Sequence, residues 1–299
     1  MLDEESISKL LKAGEIAKRA VDYASRILKP GVKLLELAEK VEDYIRELGG
    51  EPAFPVNIGI NEVAAHYTPL YKNAAVVPEN AVVKVDIGVH VDGYIADTAF
   101  TTSFNPVFEG LVEATRVALE KVIEVLHPGI KASEIGRIVE NTIKSMGYKP
   151  IKNLGGHSIS RYTIHSGITI PNHYDILAGY RLDQGVYAVE PFATNGAGLV
   201  REMKLTTIYA LKHGIKNVPT QAKSFYDKVF AERRTLPFTL RWYVKDPSQL
   251  QDIEQVIQQL KRHKSIIEYP VLVEKEKGIV TQFEHTIIVT KKDVIVTTL

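Results

Sequence analysis

The chain has 299 residues, 45% of them hydrophobic and 24% charged, with a formal net charge of +1. That balance belongs to a globular protein of one or two domains, and excludes a polycationic nucleic-acid coat and an acidic disordered chain. It has no cysteine, which removes disulfides, thiolate metal sites and a cysteine nucleophile together, so any metal must be held by Asp, Glu and His.

An amphipathic helix pattern begins near residue 5, after the acidic opening Met1-Leu-Asp-Glu-Glu-Ser6, which is no signal peptide. No apolar run reaches membrane-spanning length, so a cytoplasmic protein with no membrane partner is expected. Residues 28–49, LKPGVKLLELAEKVEDYIRELG, predict a second helix with a Pro-Gly turn before it and a glycine stop after it. The same unit returns at 126–147 as LHPGIKASEIGRIVENTIKSMG, identical at 9 of 22 positions without gaps. The shared Leu-x-Pro-Gly entry and glycine exit indicate an internal duplication.

Between the two units, Val82 to Thr102 predicts two strands around Asp92-Gly93, since Asp-Gly between alternating apolar residues is a strong hairpin signal. With those two as the turn, Val91 faces Tyr94, Gly88 faces Asp97 and Asp86 faces Ala99. Asp86, Gly88, Asp97 and Ala99 then share one face, with the two acids about 7–8 Å apart at Cα. Val85, Ile87, Val89, Ala96 and Phe100 form the other, core-facing side. Two carboxylates with only a glycine and an alanine between them repel each other, and a divalent metal is the simplest compensation. The alternative is two solvated acids on an exposed hairpin.

The duplication extends to the acids. Val82-Val-Lys-Val-Asp86 matches Val186-Tyr-Ala-Val-Glu190, and Asp97-Thr98-Ala99 matches Glu284-His285-Thr286. Each half thus offers two carboxylates from a strand pair, and four acids converging on one cleft make a metal site with oxygen ligands. His157, in Leu154-Gly-Gly-His-Ser-Ile-Ser160, is the candidate to add an imidazole, because two glycines let ligand and backbone approach closely. An imidazole favours a transition metal over magnesium or calcium. His66, in Ala64-Ala-His-Tyr-Thr-Pro69, and His165, in Tyr162-Thr-Ile-His-Ser-Gly167, sit in strand-like, partly apolar stretches, where a satisfied core or surface histidine is the plainer reading. No Gly-x-Gly-x-x-Gly, Walker loop, His-Glu-x-x-His or Gly-x-Ser-x-Gly pattern is present.

The second acid pair is separated by a long insert, expected as a mainly helical subdomain over 195–270 within a single catalytic domain of 1–299. Residues 211–265 are polar and helical in pattern and carry 11 Lys/Arg against 5 Asp/Glu, a net +6. The order helix, helix, hairpin, helix, helix, strands, insert, strands gives an α+β fold, with helices covering an antiparallel sheet.

Five of these motifs together resemble the metal-ligand set of methionine aminopeptidases: Asp86 in Val-Asp-Ile-Gly, Asp97 in Ala-Asp-Thr-Ala, His157 in Gly-Gly-His-Ser-Ile, Glu190 in Val-Glu-Pro-Phe and Glu284 in Gln-Phe-Glu-His-Thr. The resemblance runs from about residue 5 to the C-terminus. The His66 motif and the long insert resemble the type II subclass, in its short archaeal form. The resemblance implies a pita-bread fold with internal pseudo-twofold symmetry. It implies two divalent ions, with Asp86 on one, Asp97 and Glu284 shared, and His157 and Glu190 on the other; an Asp/Glu/His set accepts cobalt, manganese, iron or zinc. It matches His66 and His165 to two histidines that contact the substrate, either of which can donate to the carbonyl oxygen or the scissile nitrogen, with Glu190 placed to take the proton of the attacking water. Phe54, Ile164 and Tyr269 match the methionine pocket. A pocket histidine of some type II members has no counterpart in Thr194-Asn-Gly-Ala-Gly198.

The implied activity is removal of the N-terminal methionine from nascent polypeptides, with a small second residue preferred. Prolidases and aminopeptidase P share fold and ligands but usually carry an extra N-terminal domain, so a catalytic helix starting near residue 5 is expected to argue against them. Non-enzymatic relatives that bind RNA or ribosomes lose metal ligands, whereas this chain keeps all five. No association motif is evident, so a monomer is expected. The basic insert, with Lys212, Lys216, Arg233, Arg234, Arg241 and Arg262 among its charges, could dock transiently on ribosomes; the simpler expectation is that it walls the cleft.

Overall fold

The computed structural model describes residues 3–215 and 218–299. Lys216, counted above in the basic insert, lies outside the described residues.

Helix α1 (Glu4–Ile27) starts where the Asp3 side chain accepts the Ser6 amide at 2.9 Å, which satisfies one of the free amides of the first turn. It buries Leu10, Ala13, Ile16, Ala17, Ala20 and Ala24, a helical stripe. Helix α2 (Leu34–Glu47) follows the Pro-Gly turn and ends before Gly49, whose φ of +82° closes it. Three short strands come next: β1 (Glu51–Pro52), β2 (Asn57–Ile60) and β3 (Val63–Ala65). The predicted hairpin is β4 (Val82–Val91) and β5 (Tyr94–Ser103). Its register pairs Val91 with Tyr94, Gly88 with Asp97 and Asp86 with Ala99, as expected. Asp92 and Gly93 have φ of +52° and +84°, the double left-handed turn that matches strand twist. Val85, Ile87, Val89, Ala96 and Phe100 form one core with the buried faces of α1 and α2. On its other edge β4 pairs with β1 and β2.

The second half repeats this plan. Helices α3 (Glu109–Val125) and α4 (Ala132–Ser145) are followed by β6 (Lys149–Pro150), β7 (Gly155–Ile159), β8 (Thr169–Pro171), β9 (Gly185–Val189), β10 (Phe192–Thr194) and β11 (Val200–Leu211). After α5 (Thr220–Arg233) and α6 (Ser248–Arg262) come β12 (Ile266–Glu274), β13 (Val280–Gln282), β14 (His285–Val289) and β15 (Val294–Val296). A five-stranded sheet in the order β15-β14-β9-β7-β8 carries α3 and α4 on its core face. The halves join where β5 meets the start of β14: the Glu284 amide donates to Ala99 O at 3.0 Å, and the Ala99 amide donates back at 3.4 Å. Four carboxylate-bearing segments therefore face each other across the seam of an antiparallel, helix-covered pita-bread fold.

Within 195–270, helices α5 and α6 hang between the long antiparallel strands β11 and β12. They share a core built on Tyr226, Val229, Phe238 and Leu260. The strands run back to the body, where β3 pairs with β12. Among the described residues, no helix is long and apolar enough to cross a membrane.

Candidate metal centre and substrate cleft

Asp86 lies in the middle of β4, Asp97 in β5, His157 in β7, Glu190 just past the end of β9, and Glu284 between β13 and β14. All five line one cleft, together with His66, His165, Phe54, Ile164 and Tyr269, so the candidate ligands, substrate contacts and pocket residues come to one place. The cleft encloses about 560 Å³ of space, open solvent included. Threonines lock the seam beneath it. The Asp97 amide donates to Thr286 Oγ1 at 2.7 Å, Thr286 Oγ1 donates to Asp97 O at 2.8 Å, and Thr98 Oγ1 donates to Glu284 O at 2.9 Å. These bonds fix the spacing of Asp97 and Glu284.

Donor atoms of Asp97, His157 and Glu284 lie within 4.8 Å of one another. His157 Nε2 is 3.6 Å from both Asp97 Oδ2 and Glu190 Oε1. That is too long for a hydrogen bond, yet close to the separation of about 3.4 Å between two ligands on a tetrahedral ion with bonds near 2.1 Å. Asp86 Oδ1, Asp97 Oδ1 and Glu284 Oε1 are buried without a hydrogen-bond partner, which folded proteins seldom tolerate. Burial holds Asp86, Asp97, Glu190 and Glu284 all above the usual carboxylate range, and the charge of Asp97 adds to the effect on the other three. Burial likewise pushes His157 well below the usual imidazole value, with His165 adding to it. Divalent cations would reverse the strain on the acids, and an oxygen-rich set with one neutral imidazole suits a first-row transition metal. The residues present fit such ions.

Two polar residues of the site were not anticipated. Gln282 Nε2 donates to Glu190 Oε2 and to Glu284 Oε2, both at 3.2 Å, and so holds two carboxylates at once. Its signal was available: it stands two residues before Glu284, on the same strand face. Asn57 pairs opposite Asp86 and lines the cleft, with its Oδ1 unpartnered; the four-residue β2 after Pro55 gave too short a pattern to reveal it. The room beside Asp86 and Asp97 also has a second use. A Cβ on Gly88 would lie 2.2 Å from Phe54 Cε1, so the glycine seats an aromatic wall of the cleft.

His66 adopts φ of +63°, and its Nδ1 lies 3.3 Å from Pro270 O. A carbonyl only accepts, so Nδ1 carries the proton in the neutral ring and Nε2 offers a lone pair. Burial, with His165 adding, lowers His66 to about 4, so the neutral ring with a free Nε2 lone pair is the form favoured at neutral pH. Tyr269 meets the His66 ring edge-on at 5.4 Å and the His165 ring at 6.0 Å, while His165 lies 4.3 Å from the His157 ring. Phe54 and Ile164 belong to an apolar cluster with Ala53 and Ile159. His285, beside Glu284, bonds Thr298 Oγ1 at 2.8 Å through Nδ1. The insert contributes Ile208 and Pro237 to the cleft wall. Two of its expected surface charges, Arg233 and Arg241, are instead buried, each 7% exposed; Arg233 donates to Pro52 O and Arg241 pairs with Glu42.

A pita-bread scaffold that gathers four carboxylates and an imidazole in its central cleft defines a metallopeptidase. The chain belongs to metallopeptidase family M24, whose family model matches residues 8–291. It is 47% identical over 293 residues to the methionine aminopeptidase of Pyrococcus horikoshii, covering 98% of this chain and 99% of that one. It is 42% identical over 298 residues to the methionine aminopeptidase of Saccharolobus solfataricus, covering 99% of each. Among solved structures, the methionine aminopeptidase of Thermotoga maritima superposes with a TM-score of 0.71 at 22% identity, covering 99% of this chain and 97% of that one. At that identity the likeness speaks to the fold.

Proposed function

We propose that this protein is a methionine aminopeptidase, a metal-dependent hydrolase that removes the N-terminal methionine of newly made polypeptides and prefers a small second residue. The observation that carries the reading is the convergence, in one cleft, of Asp86, Asp97, His157, Glu190 and Glu284 with an apolar wall of Phe54, Ile164 and Tyr269. Near-complete matches to methionine aminopeptidases at 42% and 47% identity favour it over a proline-directed peptidase or a non-enzymatic relative.

Two divalent ions, of cobalt, manganese, iron or zinc, would be held with Asp86 on one, Asp97 and Glu284 shared, and His157 and Glu190 on the other. When bound, such ions supply Lewis acidity that makes water a nucleophile near neutral pH and offsets developing negative charge. Glu190, steadied by Gln282, takes the proton of the attacking water and returns it to the leaving amine, help worth ~10²–10⁴ in rate. His165 donates to the substrate carbonyl, and the Nε2 lone pair of His66 accepts from the scissile amide N–H. Phe54, Ile164 and Tyr269 receive the methionine side chain, where sulfur–aromatic contact contributes ~0.3–1.5 kcal/mol. The chain acts as one catalytic unit, with 195–270 as an inserted subdomain. For the insert we favour the plain role of cleft wall; docking on ribosomes would require salt-sensitive cosedimentation that is lost when the exposed Lys212, Lys223, Arg234 and Arg262 are changed to Glu.

The test is a peptide assay after metal reconstitution. Met-Ala-x peptides should be cleaved well, Met-Leu-x peptides poorly and x-Pro peptides not at all. Preferential cleavage of x-Pro peptides would replace this reading with a prolidase-like one.

A further inference from the structure

One buried ion pair lies away from the cleft and ties the insert to the catalytic body. Glu42 on α2 and Arg241 have side chains that are each 2% exposed. Arg241 Nη1 donates to Glu42 Oε2 at 2.8 Å, and Nη2 donates to Oε1. Glu42 also accepts from the Val56 amide at 3.1 Å and from Trp242 Nε1 at 2.8 Å. Arg241 places two further donors on one loop, with Nε to Pro69 O at 3.0 Å and Nη2 to Thr68 Oγ1 at 3.2 Å. Thr68 passes the connection on: its Oγ1 donates to Val56 O at 2.8 Å and its amide donates to Thr207 Oγ1 at 3.1 Å. Thr207 Oγ1 then donates to the carbonyl of His66 at 3.3 Å. The chain of bonds thus ends on a residue at φ +63°, a left-handed conformation uncommon outside glycine that costs backbone energy and is kept where the surrounding structure supports it.

Stability alone explains this pair poorly, because buried ion pairs are commonly no better for stability than apolar residues of equal volume. The internal repeat makes the same point. Glu140 is the counterpart of Glu42, yet it accepts the Tyr174 amide at 2.8 Å and pairs with the half-exposed Lys144. Among the described residues, the arginine partner is supplied only in the half that carries the His66 loop, and the insert supplies it.

We propose that Arg241, acting with Glu42 and through Thr68 and Thr207, is a positioning residue that fixes the His66 backbone so that its imidazole faces the substrate. The insert is then part of the framework of the active site. The proposal rests on the reading of His66 as a residue that contacts substrate.

The test is a set of double-mutant cycles on the metal-reconstituted protein, with a Met-Ala-Ser peptide as substrate. Arg241→Lys keeps the charge and loses the fork; Thr207→Val removes one hydroxyl and leaves the ion pair, so the fold is retained. Each should lower kcat by roughly 10- to 100-fold, with KM and bound metal as in the wild type. In a His66→Ala background each should change kcat by less than about twofold. In the metal-free protein, the His66 ring resonance should shift in both variants. Equal losses with and without His66 would overturn the proposal, because they would report general damage. A large loss in His66→Ala with no loss in either partner variant would overturn the proposal and leave the reading of His66 standing. Unchanged kcat in His66→Ala itself would overturn that reading.

Discussion

Gly88→Ala tests the cleft wall with a single methyl group. The added Cβ would lie 2.2, 2.5 and 2.8 Å from Cε1, Cδ1 and Cζ of Phe54. Ordinary carbon–carbon contact is about 3.5 Å, so the ring must retreat by about 1.3 Å. Phe54 is 6% exposed and packed on its inner side against Ala53 and its neighbours, so the open direction is the cleft, where the methionine side chain is proposed to lie. Overpacking of this kind costs about 1–3 kcal/mol of stability. A displacement of about 1 Å at a substrate-positioning group can lower turnover by about 10²-fold. Gly88 has an ordinary negative φ and stays paired with Asp97, so the acids and their metal content should be preserved. Thermal unfolding, metal analysis and steady-state kinetics on Met-Ala peptides report the three effects separately. Wild-type KM and kcat would refute the argument that Phe54 is seated by this glycine and lines the pocket. Loss of metal would show that the space serves the carboxylates instead.

His66→Ala should lower kcat by roughly 10²-fold or more while metal content and fold stay near wild type; loss of metal would reassign His66 as a ligand. Gln282→Leu should weaken metal binding about 10- to 100-fold, as for other groups that hold metal ligands from behind, and unchanged affinity in a metal titration would count against its role. The four buried acids have folded pKa values raised above the usual carboxylate value of about 4. In the metal-free protein their stabilising contribution is therefore full below about pH 4 and is lost as pH rises through the raised folded values. Divalent ions remove that loss, so the gap in Tm between metal-loaded and metal-free protein should widen as pH rises from about 4 towards neutrality. A gap that is constant or narrows would contradict the assignment of these acids as ligands.

The hairpin register was legible because Asp92-Gly93 fixes the turn, and a fixed turn fixes every cross-strand pair after it. That one element already placed Asp86, Gly88 and Asp97 on a common face. The repeated Leu-x-Pro-Gly helices located the second acid pair by analogy. Strand β11 was hidden, because Arg201 to Leu205 are all exposed and present no alternation. Asn57 meets an acid only across the sheet, opposite Asp86, so its own four-residue strand carries no sign of it, and Gln282, two residues before Glu284, joins the site only once both are known to face the cleft. Arg233 and Arg241 count in the sequence only as charges of the basic insert, because a sequence records charge without its partner; the partner of Arg241 stands 199 residues away, on α2.

Metal stoichiometry and turnover in Asp97→Ala test the metal centre most directly. Asp97 is proposed to serve two ions, so its loss should release metal as well as abolish turnover. Wild-type protein should bind two divalent ions per chain and release methionine from Met-Ala-Ser, whereas Asp97→Ala should bind fewer and release none. Two ions and full turnover in Asp97→Ala would contradict the site as described here.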